Sequence, residues 1–246
     1  MPNPRPLQGK VALITGGAKR LGKASALALA EAGADVAITF LKSAKDAQQT
    51  ASKIEKTGSC ALAIACDVTE PDSVRDAIQV VVKKFGRLDI LVNNAGVYET
   101  VDFESLTIEE WDSTFATNVR GPFLVSQQSL PHLRRVSGRI VNLGSLGGLR
   151  AWPTHAHYCS SKAALHMLTK AMAKALAPEI SVNCVAPGMI DLGEKSAAAL
   201  MTRTARQTPM RRNGIGEDVA AAVLFFAAAP AFITGQIMFV DGGLGL

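Results

Sequence analysis

From Lys10 onward the chain alternates short β-branched apolar runs with longer stretches of helical periodicity, and this alternation restricts the fold more than any other feature. It predicts a parallel sheet whose strands are joined by helical crossovers. Strands are expected at Val11 to Ile14, Asp35 to Phe40, Ala61 to Cys66, Leu88 to Asn93, Arg139 to Leu143, Ser181 to Ala186 and Gln236 to Val240. Helices are expected at Leu21 to Ala32, Ala44 to Thr57, Pro71 to Phe85, Ile108 to Leu133, Ala156 to Ala177 and Glu217 to Ala229. Near-continuous apolar strands such as Leu88 to Val92 imply burial on both faces, as in a doubly wound α/β sheet. With no linker or break in composition, the reading is one domain spanning residues 1–246 with a seven-stranded parallel sheet.

Composition narrows the function classes. Hydrophobic residues at 48% and charged residues at 19% supply a core and exclude a disordered chain. The net charge of +5 is spread without a basic block, so no nucleic-acid partner is expected. Cys60, Cys66, Cys159 and Cys184 lack CxxC or Cys/His spacing, so no metal site is expected. No signal-like apolar core or spanning stretch is seen, so the expectation is a cytoplasmic protein with no membrane partner.

The first strand runs into Thr15-Gly16-Gly17-Ala18-Lys19-Arg20-Leu21-Gly22 and then a helix. Glycines allow a tight turn and close backbone approach, and a helix N-terminus attracts a pyrophosphate, which makes this a dinucleotide turn of a Rossmann-type domain. Contacts are expected from Gly16, Ala18, Lys19, Arg20 and Leu21. After the second strand an acidic residue would bind a ribose 2′-hydroxyl, but the chain reads Thr39-Phe40-Leu41-Lys42-Ser43. Leu41, Lys42 and Ser43 therefore point to a 2′-phosphate, with Lys19 or Arg20 adding charge, and to NADP(H) as the cofactor.

Tyr158 and Lys162 are four residues apart at the start of a long helical pattern and so share a helix face. A free tyrosine titrates near ~10, too high for acid/base work at neutral pH. A cation ~4 Å away at an effective dielectric of ~20 favours the phenolate by about 4 kcal/mol before desolvation opposes it. Ser145, closing the fifth strand, places a hydroxyl at the same sheet edge, where it can hydrogen-bond a substrate oxygen.

Together with Asp67-Val68, Asn93-Asn94-Ala95-Gly96, Asn118, Pro187-Gly188 and the terminal Asp241-Gly242-Gly243, these motifs resemble the short-chain dehydrogenase/reductase family over nearly the whole chain. The resemblance implies hydride transfer between a nicotinamide and a carbonyl or alcohol carbon of a small substrate such as a 3-oxoacyl thioester, ketone or sugar. It implies that Tyr158 exchanges the proton, Lys162 holds the nicotinamide ribose and lowers the tyrosine pKa, Ser145 orients the carbonyl and Asn118 supports a relay water. Asp67 and Val68 would contact adenine, and Asn94, Ala95 and Gly96 would line the cofactor. Pro187, Gly188 and Ile190 would complete that site, and the protein would be a homotetramer.

Arg20 departs from the usual glycine of the family. A turn ending Lys-Arg-Leu-Gly, with Lys42-Ser43, is similar to pteridine reductases, which gives an alternative reading; Ser145, where those enzymes carry an acid, favours an ordinary carbonyl. Leu192 replaces a threonine common in the family. An alternative of another class is a non-catalytic NADP-binding regulator. Residues 189–215 follow a strand's carboxyl end and are expected to form a substrate lid. His155 and His157 are candidates for substrate contact, Trp152 for a pocket wall, and Cys159 for packing or oxidant sensing.

Overall fold

The computed structural model of the chain describes residues 5–194 and 197–246. Its strands are β1 (Val11–Ile14), β2 (Asp35–Phe40), β3 (Ala61–Ala65), β4 (Ile90–Asn93), β5 (Arg139–Leu143), β6 (Ser181–Pro187) and β7 (Ile237–Val240). They form one sheet in the order β3-β2-β1-β4-β5-β6-β7, with every neighbouring pair parallel. The expected seven-stranded doubly wound sheet is what forms. The chain order reverses direction between β1 and β4, and in open α/β sheets the crevice at such a point is where ligands bind.

Eight α-helices accompany the sheet among the described residues: α1 (Arg20–Glu31), α2 (Ala44–Glu55), α3 (Pro71–Phe85), α4 (Ile108–Phe115), α5 (Gly121–Leu133), α6 (Ala156–Leu176), α7 (Ala198–Gln207) and α8 (Gly216–Ala228). Side chains on a strand alternate faces, and β1 shows the outcome. Ala12 and Ile14 join a core with α1, α2 and α8, while Val11 and Leu13 join a second core with α3, α5 and α6. Local sequence agrees with these ends: α3 opens on Pro71, carries Lys83 and Lys84 in its last turn, and stops at a left-handed Gly86. Asp89 anchors the amino edge of the sheet, accepting the Val11 N–H at 3.0 Å and a two-pronged contact from Arg87 at 2.6 and 2.7 Å.

Two helical expectations change. The single pattern expected from Ile108 to Leu133 is interrupted by a wide π turn at Ala116–Arg120. Pro122 is the physical reason: it has no N–H for the carbonyl of Asn118, and its ring crowds that carbonyl. The segment 189–215 contains α7 and a bridge between Ile190 and Gly214; its residues 195 and 196 lie outside the described residues. Among the described residues no helix is long and apolar enough to cross a membrane.

Candidate active site

A cleft of about 1080 Å³ runs along the carboxyl edge of the sheet, centred on the ends of β1 and β4. Its wall includes Gly16, Ala18, Lys19, Arg20 and Leu21 from the turn, and Leu41, Lys42 and Ser43 after β2. It also includes Asp67, Val68, Asn94, Ala95, Gly96, Ser145, Tyr158, Pro187, Gly188 and Ile190. Asn118 and Lys162 lie behind this wall. A Cβ added at Gly96 would sit 3.1 Å from Asn118 Oδ1 and 3.7 Å from Lys162 Nζ, which places both side chains beneath that residue.

The turn is built for close approach. A Cβ on Gly22 would stand 2.4 Å from the Gly16 carbonyl oxygen and 2.5 Å from Asn94 Nδ2, so the residue must be glycine. Lys19 precedes α1 without a side-chain cap, and the leading N–H groups of a helix otherwise lack partners. Thr15 and Asn94 clip the two loops together: Asn94 Nδ2 donates to the carbonyls of Thr15 and Gly16 at 2.8 and 3.0 Å, and Thr15 Oγ1 accepts the N–H of Asn94 and of Ala95 at 3.0 Å each. Sequence reasoning passed over Thr15, whose role depends on a partner 79 positions away.

The cations are not equivalent. Lys19 pairs with Asp46 at 3.3 Å, and Arg20, with its backbone at φ 50°, pairs with Glu194 from the segment after β6. Lys42 is exposed and makes no ion pair among the described residues. Asp46, in the first turn of α2, is a carboxylate near this end of the cleft that the strand-end rule did not anticipate. These residues fit a phosphate-bearing dinucleotide: the glycine cradle admits backbone contact, and Lys42 and Ser43 stand where an acid would disfavour a 2′-phosphate.

At the other end Tyr158 and Ser145 stand side by side on the cleft wall: a Cβ added at Gly147 would lie 3.3 Å from both Ser145 Oγ and Tyr158 Cε1. Burial pushes the Tyr158 phenol up to about 12, opposed by the neighbouring Ser145 hydroxyl. Lys162 Nζ donates to the Leu143 carbonyl at 2.8 Å and lies 5.8 Å from the centre of the Tyr158 ring; burial pushes its pKa down to about 8. The lowering expected from Lys162 does not set the direction here: burial does, and the phenol keeps its proton at neutral pH. The Asn118 side chain is fully engaged: its Nδ2 donates to the Val97 carbonyl at 3.1 Å and to Ser161 Oγ at 3.0 Å, and its Oδ1 accepts the Val97 N–H at 2.9 Å.

The histidines do not take the expected substrate-contact positions. His157 is fully buried, with neither ring nitrogen hydrogen-bonded among the described residues. His155 bonds Thr100 Oγ1 at 3.1 Å and Thr154 Oγ1 at 2.9 Å, and stacks on Tyr98 with ring centres 4.7 Å apart. Trp152 does wall the cleft, nearly parallel to Tyr158, and the exposed Tyr98 adds an edge-on contact to that ring at 4.9 Å. Cys159 is buried. A polar chain through Asn93, Asn142 and Thr169, bonded at 2.8 and 2.9 Å, ties β4, β5 and α6 together behind the site.

A family profile described as enoyl-(acyl carrier protein) reductase matches residues 16–245. The chain is 38% identical over 240 residues to the 3-oxoacyl-[acyl-carrier-protein] reductase of Staphylococcus aureus, covering 96% of this chain and 98% of that one. The chain belongs to the short-chain dehydrogenase/reductase family. It is an oxidoreductase, and short-chain dehydrogenases of known structure share its fold. A short-chain dehydrogenase/reductase of Serratia marcescens superposes with a TM-score of 0.92 at 38% identity, covering 98% of this chain and 100% of that one. A short-chain dehydrogenase of Burkholderia cenocepacia, solved in complex with NADP, superposes with a TM-score of 0.89 at 39% identity, covering 98% and 99%.

Proposed function

We propose that the protein is an NADPH-dependent carbonyl reductase, with Tyr158 as proton donor, Ser145 orienting the carbonyl oxygen, and a 3-oxoacyl thioester or apolar ketone as substrate. The observation that carries this reading is the placement of the Ser145 and Tyr158 side chains together on the cleft wall at the carboxyl edge of β5, where one oxygen can receive both hydroxyls. The phenol carries the proton that reduction needs, and although burial makes it a weaker acid, the alkoxide forming on the substrate is more basic than a phenolate and can take that proton. A nicotinamide bound in the cleft supplies the hydride. Lys162 steadies the nicotinamide ribose, and Asn118, through Val97 and Ser161, is a positioning residue. Gly16, Ala18, Lys19, Arg20 and Leu21 hold the pyrophosphate, and Leu41, Lys42 and Ser43 hold the 2′-phosphate end. Asp67, Val68, Asn94, Ala95, Gly96, Pro187, Gly188 and Ile190 line the remainder. The Burkholderia relative's complex with NADP supports this choice of cofactor.

Around the reacting end the walls are apolar: Tyr98, Trp152, Met189, Leu192, Leu200 and Met201. They suit an acyl chain or apolar ketone better than a polyol. The name of the Staphylococcus relative supports the thioester. Arg20 at the rim keeps pteridine reduction as a second reading. We further propose that the chain forms one domain, that residues 189–215 act as its lid, and that it assembles as a homotetramer in the cytoplasm. The test is turnover of 3-oxoacyl thioesters, 2-enoyl thioesters, ketones, sugars and dihydropteridines with NADPH and with NADH. Reduction of the 3-oxo group, and a loss on the order of 10²–10⁴-fold in Tyr158→Phe, is expected. Full activity of that variant, or no turnover on any carbonyl, overturns the reading.

A further inference from the structure

Tyr158, Lys162 and His166 follow at intervals of four along α6 and form one stripe of its surface. Each meets the end of β5. Tyr158 stands beside the Ser145 hydroxyl, Lys162 Nζ donates to the Leu143 carbonyl at 2.8 Å, and His166 Nε2 accepts the main-chain N–H of Ser145 at a long 3.4 Å. The first two belong to the proposed chemistry. His166 does not reach the cleft wall and has no part in it so far.

We propose that His166 is a positioning residue for the reduction: its Nε2 lone pair holds the Ser145 main chain at the end of β5, keeping the Ser145 hydroxyl aimed at Tyr158. This rests on the reading of Ser145 as the residue that orients the carbonyl.

The loop around Ser145 is shaped to admit an imidazole. A Cβ on Gly144 would lie 2.4 Å from His166 Nε2, and a Cβ on Gly148 would lie 2.6 Å from its Cε1 and 2.8 Å from its Nδ1. Glycine on each side of Ser145 is thus what leaves room for the ring. The edge-on Phe239 ring, 6.0 Å from it centre to centre, backs the imidazole from β7. Burial first, then the neighbouring Lys162 and Lys170 ammoniums, push the His166 pKa down to about 4, so the ring is neutral in working conditions and carries one lone pair. Facing an N–H donor, that lone pair belongs to Nε2, and the proton to Nδ1. The serine hydroxyl is also fixed from its other side. Ser145 Oγ accepts the Gly147 N–H at 3.0 Å, which leaves its own proton for an oxygen in the cleft.

The test compares His166→Leu, which fills the space but accepts no hydrogen bond, with His166→Gln, whose amide oxygen accepts one. His166→Leu is expected to lower kcat on the order of tenfold, short of the ~100-fold that a 1 Å misplacement of a reacting group can cause. KM and NADPH affinity should stay within about twofold, because no substrate or cofactor contact is removed. His166→Gln should recover most of the lost kcat. Unchanged kcat in the leucine variant, or equal loss in both variants, overturns the proposal. Nitrogen-15 NMR of the parent protein decides the matter even where a variant does not fold: a protonated Nε2 sinks it, and an unprotonated Nε2 with protonated Nδ1 supports it. If Tyr158→Phe keeps full turnover, the carbonyl-reductase reading has failed instead, whatever His166 shows.

Discussion

At Tyr158 burial decides the protonation state of the phenol. Lys162, four residues along the helix, directs its Nζ to the Leu143 carbonyl, and burial leaves the phenol protonated, the form the proposed reduction starts from. In the proposed reading cofactor choice turns on Lys42, since Lys19 and Arg20 already have carboxylate partners. A hydrogen bond to a charged group contributes about 1.5–3 kcal/mol, so Lys42→Ala should lower kcat/KM for NADPH by roughly 10- to 100-fold and leave NADH unaffected. Parallel loss with both cofactors would remove Lys42 from the 2′-phosphate site. The Tyr158/Lys162 spacing and the glycine turn could be read from sequence because their partners are local. Thr15 with Asn94, and His166 with Ser145, could not, because strand register brings them together across 79 and 21 positions.

Along α6 the buried titratable groups impose a pH dependence on stability. His166 binds its proton near 4 in the fold against 6.5 ordinarily, so the unfolded chain takes up the proton first as pH falls. Stability is therefore lost between about pH 6.5 and 4, and His155 and His132, both lowered by burial, act in the same direction. In alkali the raised Tyr158 and Cys184 lose stability above their ordinary values of 10.0 and 9.0, while Lys162 gains between about 8 and 10.5. Thermal denaturation should show Tm falling below pH 6.5, with a shallower fall in His166→Leu; an acid limb identical in that variant would contradict the assignment. Helix content was legible from periodicity, and the π turn was not. Periodicity over Ile108 to Leu133 averages across one wide turn, although Gly121-Pro122 is the local signal that a helix restarts there. Helix α7 was harder to read for another reason: Ala198–Gln207 has one buried residue, Thr204, and turns Leu200 and Met201 to the cleft rather than to the core.

For the molecule as a whole, the fold class followed from strand and helix alternation because the central strands β1, β4 and β6 are buried on both faces. The assembly depends on surfaces. A groove lined by Phe115, Val119, Phe123 and Leu168, with Asp112 and Arg120 also on its wall, is formed by α4, the π turn, α5 and α6, and Met167 is exposed on α6. Light scattering should give about four chain masses, and Phe123→Asp should reduce that value, since burying an unpaired carboxylate is costly. A monomeric parent protein would refute the homotetramer.

The pairs Lys19–Asp46 and Arg20–Glu194 have one last consequence. A phosphate arriving at the glycine turn finds both cations with an incumbent anion, so docking is an exchange of counter-charges rather than a simple attraction. Cofactor association should then respond to ionic strength more weakly than a turn with two free cations would.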